Sequence, residues 1–275
     1  MKLIGVQNPR TRTTTVGRVE NDRVIEIADT ASFWADPLEA LNRADSANGM
    51  GVSRSEVIEV PLVPDTARIL CVGGNYAPTD ETSYTAPQYP TIFGRWTTSL
   101  SVTGVPVTIP ANEPGLDWEV EVAAYVGTRL NDADPDTARR AVLGYSTFND
   151  LPARTAQKIT SQWTLGKNVD NSGPIGPLVT ADEVGDLRAG LRVQTRVNGT
   201  TVQDANTTSL IFDVGELLSF ISKTLTLNPG DVLVTGTPAG VGYVRQPPWL
   251  LVDGDEVEVE VERLGTLRTP IRKAC

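Results

Sequence analysis

Histidine is missing altogether from the 275 residues of this chain. That absence removes Ser-His-Asp and Cys-His nucleophile systems, nearly all zinc sites and any imidazole general base. Acid–base work must fall to Asp, Glu, Lys, Tyr or a metal-bound water. Cysteine is scarce, with two residues. Cys71 follows Ile69-Leu70 in a strand-like run and is expected in the core, while Cys275 is the last residue and expected to fray, so no structural disulfide is anticipated. Long apolar runs are lacking too: none approaches the ~18 residues of a membrane helix. The opening MKLIGVQNPR has no extended apolar region and no small-residue cleavage site, which does not read as a signal peptide. A cytoplasmic protein, with no membrane partner, is expected. Positive charge is also in deficit, 24 Lys and Arg against 34 Asp and Glu, for a net charge of −10. Nucleic acid is therefore not expected as a partner. An anionic substrate would need a metal or local cations to draw it in against the overall field.

What remains is an ordinary globular composition, 40% hydrophobic, long enough for one large domain or one plus a small one. The first 27 residues alternate (KLIGV, TTTVGRVE, RVIEIA) and suggest a small antiparallel meander, followed by a short helix around 37–44. Val63-Pro64-Asp65 marks a boundary between residues 1–64, a small N-terminal β-rich domain, and 65–275, the larger one. RILCVGG (68–74) reads as a buried strand running into glycines. Residues 76–90 carry three prolines with Asp80, Glu81, Thr82 and Ser83 and read as a long loop. Thereafter short strands dominate, interrupted by helical patterns at 135–142, 152–160 and 210–222. Many strands with no βαβ rhythm predict a β-rich α+β roll or sandwich.

The most informative stretch is LDWEVEVAAYVG (116–127), in which Asp117, Glu119 and Glu121 alternate with Trp118, Val120 and Val122. On a strand this period of two puts three carboxylates on one face. In a partly dry place they stay ionised only around a cation; otherwise one takes up a proton. Carboxylate oxygens suit Mg²⁺, Mn²⁺ or Ca²⁺. The alternative is a solvent-facing edge strand with hydrated acids. Asp150, two residues before Pro152, reads locally as a helix N-cap.

Taken in order, ILCVGGNYA (69–77), PTIFGRW (90–96), the acidic stretch, GYSTFNDLPAR (144–154), GKNVDNSGPIGP (166–177), VNGTTVQ (197–203) and LNPGDVLVTGTPAGVG (227–242) resemble the fumarylacetoacetate hydrolase family. The resemblance spans about residues 63–267. It implies a mixed β-roll or sandwich catalytic domain, a small N-terminal β domain, usually a homodimer, and Mg²⁺ or Mn²⁺ held by three carboxylates, which match Glu119, Glu121 and Asp150. Asp117 would stand behind them. Lys167 matches the family's active-site lysine, and Arg154 and Gln157 match polar residues flanking the site. Thr237 would bind a substrate carboxylate. Arg95 stands where many members have lysine, with an anion-binding role, and Tyr76 counts with the substrate-binding residues.

The pattern departs from the family in a second place as well, the loop after Tyr76. The histidine and glutamate that the family's hydrolases carry after the Asn-Tyr align with Thr79 and near Thr82, so the water-activating pair is missing. Asp80 or Glu81 could substitute, although a carboxylate of pKa about 4 is a weaker base than imidazole at neutral pH; Tyr84 is another candidate. The expected substrate is a small 2-oxo or 1,3-dicarbonyl acid. Family precedent favours hydrolytic C–C cleavage of an acylpyruvate-like compound. The missing pair favours enolate chemistry without water: decarboxylation, keto–enol isomerisation, dehydration or a lyase reaction. A third reading is a non-catalytic binding subunit.

Overall fold

The computed structural model describes residues 1–46, 49, 51–78 and 84–274. The expectations for Asp80, Glu81 and Cys275 therefore lie outside the described residues. The chain opens with the anticipated meander, β1 (Lys2–Gln7), β2 (Thr14–Glu20) and β3 (Arg23–Asp29). Asp29 then caps α1 (Thr30–Ala35) by accepting from the Ser32 N–H, and α2 (Pro37–Ser46) follows. The six-residue α1 is too short to show a period in sequence; what holds it is the burial of Phe33 and Trp34.

Five pieces lead to the acidic stretch: β4 (Val52–Ser53), β5 (Ile58–Val60), β6 (Ile69–Gly73), β7 (Thr91–Arg95) and β8 (Leu100–Ser101). Then come β9 (Val107–Ile109), β10 (Val120–Val126), α3 (Pro135–Arg140), β11 (Val142–Asn149), α4 (Arg154–Lys158), α5 (Thr164–Lys167), β12 (Gly173–Pro174) and β13 (Leu178–Thr180). The remainder is α6 (Ala181–Val184), β14 (Arg192–Val197), β15 (Thr200–Asn206), α7 (Val214–Ser222), β16 (Val232–Val234), β17 (Glu256–Val261) and β18 (Gly265–Lys273).

An eleven-stranded sheet runs β4-β3-β2-β1-β13-β11-β10-β16-β6-β7, with β5 added on β1. A five-stranded sheet, β15-β14-β17-β18-β9, is separate from it in hydrogen bonding and packs against it through a shared apolar cluster. Pairing is antiparallel except for β16·β6, β18·β9 and β12·β8. The fold is thus the β-rich α+β arrangement that the strand-dominated sequence predicts. The first 60 residues continue the large sheet through β1, which pairs with β13 at Lys2↔Val179.

Burial explains why β10 sits centrally. Val120, Val122, Ala124 and Val126 point into one apolar cluster, which includes Trp118, Val193, Val257 and Val259. Ala123 and Tyr125, on the opposite face, join a second cluster with Phe33, Trp34, Phe148 and Leu178. Every residue of β10 is buried, so the strand is no hydrated edge. Its ladder is also shorter than the 116–127 alternation: Asp117 and Glu119 precede it.

Two local expectations need correction. Asp150 caps no helix, because Ala153 is extended and serves as the N-cap of α4, which starts at Arg154. The helix expected from 210 starts at Val214, where Asp213 and Glu216 form a reciprocal capping box; Leu210 instead makes a bridge to Tyr76.

Gly144 on β11 tests the packing beside β10. A Cβ there would collide with the Val179 carbonyl oxygen and with Leu178 across the β11·β13 pair. Gly144→Ala should lower stability by about 1–3 kcal/mol, read as a lower urea midpoint; an unchanged midpoint would show that the two strands have slack.

Candidate active site

Antiparallel pairing of β10 with β11 puts Val120 opposite Asn149, and the Asp150 N–H continues the ladder by donating to the Glu119 carbonyl at 2.9 Å. The side chains of Glu119, Glu121 and Asp150 thereby meet although the third lies some thirty residues on. One carboxylate oxygen from each lies within 4.8 Å of the others, and all three residues are buried. These are the metal ligands named from sequence.

Three cations surround them. Lys167 Nζ, at the end of α5, donates to Glu119 Oε2 at 2.5 Å and Asp150 Oδ2 at 2.7 Å. Gly166 makes this reach available: α5 lies so close on α4 that a Cβ at 166 would overlap Gln157, and the Ala153 N–H donates to the Gly166 carbonyl. Arg154 joins Asp117 (Nε to Oδ2, 2.8 Å) to Glu119 (Nη2 to Oε1, 2.7 Å), and its Nη1 donates to Gln157 Oε1 at 2.9 Å. Asp117 therefore stands behind these three acids, as the family resemblance implies, and is further fixed by the Gly242 and Tyr243 N–H groups.

Arg95 differs from its expectation. Its guanidinium, with no exposed side-chain area, donates to Asp150 Oδ1 at 2.8 Å and to Ser99 and Ser172. It is not on the cavity wall. The pairing of β7 with β6 turns Arg95 inward, so it buttresses Asp150 and leaves no open face for a substrate anion.

A cavity of about 420 Å³ opens onto the acids. Glu119, Glu121, Arg154, Gln157, Lys167, Thr237 and Tyr76, seven residues singled out from the sequence, all line it. Thr237 Oγ1 accepts from Gln203 Nε2 at 3.0 Å, and Gln203 Oε1 accepts from the Val120 N–H, tying the TGTP turn to β10. Sequence reasoning saw Gln203 only as part of a motif. Its central place follows from the Asn198-Gly199 turn, whose positive φ angles fold β15 back onto β14. Asn75 was likewise seen only as motif. Its side chain bridges the Thr235 and Phe212 backbones. Phe93 and Trp163, edge to face at 5.2 Å, close one wall with Tyr243, whose ring lies 4.2 Å from the Arg154 guanidinium carbon.

Charge decides what the site can hold. Among the described residues, Asp117, Glu119, Glu121 and Asp150 are accompanied by the cations Arg95, Arg154 and Lys167. Burial would pull Lys167 down, but Asp150 and Glu119 outweigh it and hold its ammonium above the usual lysine value. Burial would raise Asp150, but Lys167 and Arg95 outweigh it and hold it low. Glu121 is the carboxylate left over. Its hydrogen-bond donor is the Gly236 N–H, and burial, then Asp150 and Glu119, push its carboxyl well above the ordinary range. An all-oxygen donor set with one uncompensated negative charge fits a hard divalent cation.

The model for the fumarylacetoacetate (FAA) hydrolase C-terminal domain matches residues 68–272. The chain belongs to the fumarylacetoacetate hydrolase family. It is 37% identical over 238 residues to the mitochondrial oxaloacetate tautomerase fahd2 of Xenopus laevis, covering 85% of this chain and 74% of that one. Among solved structures, the 2-hydroxyhepta-2,4-diene-1,7-dioate isomerase of Mycobacterium marinum superposes with a TM-score of 0.77 at 32% identity, covering 99% of this chain and 98% of its own. The fumarylacetoacetate hydrolase of Exiguobacterium antarcticum gives 0.79 at 31% identity, with both chains fully covered. This protein is an enzyme of that family, in which isomerases and hydrolases share one scaffold. The tautomerase is named as mitochondrial, so the cytoplasmic expectation draws no support from it. Among the described residues no helix is long and apolar enough to cross a membrane.

The raised Glu121 carboxyl predicts a pH signature. Folded protein without metal keeps that proton to higher pH than the unfolded chain, which loses it near about 4.3. The folded state therefore binds more protons, and stability should fall as pH rises through and above the ordinary glutamate range. Depressed Asp150 acts below this window and raised Lys167 above it. Added Mg²⁺ or Mn²⁺ should raise Tm more at about pH 8 than at about pH 5, and Glu121→Gln should flatten both trends. A metal-free Tm that climbs across this range in both proteins would contradict the charge assignment.

Proposed function

We propose that this protein is a divalent-metal-dependent keto–enol tautomerase of a small 2-oxo acid, with oxaloacetate as the first candidate. The observation that carries the reading is the acidic cluster beneath the cavity: Glu119 and Glu121 on its wall, Asp150 behind them, and Lys167 at 2.5 Å from Glu119 and 2.7 Å from Asp150. The 37% identity to an oxaloacetate tautomerase supports the same choice.

A divalent ion held by Glu119, Glu121 and Asp150 would supply Lewis-acid stabilisation of the negative charge that develops on a 2-oxo group during enolisation. Lys167 brings a second positive charge to the same end of the cavity and keeps its proton, so it stabilises an enolate oxygen electrostatically. Arg154 fixes Glu119 and Gln157 in place. Thr237, its oxygen already accepting from Gln203, retains an O–H to donate to a substrate carboxylate. Phe93, Trp163 and Tyr243 exclude water from the walls, which strengthens each of these interactions.

Hydrolytic cleavage, the reaction the family name suggests, asks in addition for a base that activates water. The sequence has no histidine. Among the described carboxylates on the wall, Glu119 is held by Arg154 and Lys167, Glu121 belongs to the cation, and Asp204 is paired with Arg192. The homodimer implied by the family resemblance is part of the proposal. Exposed Trp96, Ile159 and Leu165, close to the elements that carry Arg95, Arg154 and Lys167, offer apolar area for it.

The test is ketonisation of freshly dissolved enol-oxaloacetate, followed by ultraviolet absorbance with products identified by NMR. Faster loss of the enol with Mg²⁺ present, abolished by chelator and yielding only keto-oxaloacetate, is the expected result. Release of carbon dioxide and pyruvate would indicate a decarboxylase instead. Two carboxylic acids formed from an acylpyruvate, with solvent oxygen in one of them, would indicate a hydrolase.

A further inference from the structure

Beside its charged head the cavity carries an aromatic wall. Phe93 and Trp163, which both line it, meet edge to face at 5.2 Å, and the Phe93 ring centroid lies 5.4 Å from Lys167 Nζ. The aromatic surface therefore starts next to the group that would face an enolate oxygen. Trp163 is held firmly in that position. Its carbonyl accepts from the Lys167 N–H at 3.0 Å, which ties it to α5. Gly73, at the end of β6, lies against the indole, where a Cβ would come within 2.5 and 2.7 Å of two ring carbons. Pro78, Val241 and Tyr243 add to the lining. The cavity's volume of about 420 Å³ falls among pockets that enclose ligands well beyond a four-carbon acid.

Among the described residues on the wall, no cation is left for a second substrate carboxylate. Lys167 is shared by Glu119 and Asp150, and Arg154 by Asp117 and Glu119. Asp204 brings a further acid, already paired with Arg192. Arg95 stands behind Asp150, and Lys158, 4.0 Å from the Tyr243 ring centroid, is off the wall. Residues 79–83, which follow Pro78 in the chain, contain no Lys or Arg. A carboxylate on C3 of the substrate would lose water to apolar side chains without gaining a counter-charge, whereas a ring there would bury favourable area and meet other rings. Resting on the tautomerase reading, we propose that the preferred substrate is a 2-oxo acid with an aryl arm on C3, where oxaloacetate has its second carboxylate, and that Trp163 is the residue that selects it. The C1 carboxylate and C2 oxygen keep the contacts already described; only the arm differs.

Enol-phenylpyruvate and enol-oxaloacetate differ only in that arm, so ketonisation of the two, followed by ultraviolet absorbance with Mg²⁺ present, tests the choice. The wild type should show a kcat/KM at least about tenfold higher for enol-phenylpyruvate. Binding provides a readout apart from turnover. Phenyllactate should bind at least about tenfold more tightly than malate, measured by isothermal titration calorimetry, since both carry a hydroxyl at C2 and differ in the same arm. Trp163→Ala should lower the preference for the aryl compound about tenfold in both measurements, and Trp163→Phe, which keeps an aromatic wall, should stay within about threefold of the wild type. A wild-type preference for oxaloacetate, or malate binding as tightly as phenyllactate, overturns the inference and leaves the tautomerase reading standing. A preference unchanged in Trp163→Ala overturns the role of Trp163. Absence of ketonisation of either enol by the wild type overturns both the inference and the reading it rests on.

Discussion

Four carboxylates buried within reach of three cations set the terms for everything around them. Asp117 and Glu119 share Arg154, Glu119 and Asp150 share Lys167, and Asp150 also has Arg95. Ion pairs out of water recover their desolvation cost only when the geometry is good and the remaining donors and acceptors are filled. Here most of them are filled: the Gly242 and Tyr243 N–H groups reach Asp117, and Ser99 and Ser172 take up Arg95, whose Nε is the donor left unpaired among the described residues of the network. Among the described residues, Glu121 is the one of the four with no ion pair of its own. A protein that buries an unmatched carboxylate at the floor of a cavity has either to protonate it or to recruit positive charge from outside.

The scaffold reads as a device for holding that imbalance in place. The acids stand at the ends of β10 and β11, the two central strands, where apolar packing on both faces of β10 resists relaxation. The turn after β16 contributes the Gly236 N–H to Glu121, and φ is +89° at Gly236, where a side chain would also crowd the Val72 carbonyl. Glu113 accepts the Thr155 and Ala156 N–H groups at the start of α4, fixing the helix that carries Arg154 and Gln157. Stability and function draw here on the same contacts: loosening α4 or the turn would disturb the ion pairs as well as the cavity.

The sequence disclosed more of the chemistry than of the geometry. The period-two acids were legible because Glu119 and Glu121 do project to one side at the start of a strand, and Asp117 behind them followed from the family pattern. Asp150 misled locally. Asp two residues ahead of Pro reads as a helix start, whereas its oxygens are claimed by Arg95 and Lys167, 55 and 17 positions away in the chain. Such long-range pairings leave no periodic trace. Arg95 misled for a related reason: a residue type suited to anions was visible, but the side toward which β7 turns it depends on a neighbouring strand. The N-terminal meander was legible from alternation alone, while its union with the large sheet through β13 was not, since strand order is set by tertiary packing.

The central claim is that Glu121 carries the charge that makes a metal site of this cavity. Mn²⁺ binding, measured at neutral pH by electron paramagnetic resonance on wild type and Glu121→Gln, tests it most directly. One tightly bound ion per chain, displaced by Mg²⁺ and weakened at least about tenfold by the substitution, is the result the charge balance predicts. Equal binding by the two proteins, or none by the wild type, would contradict it.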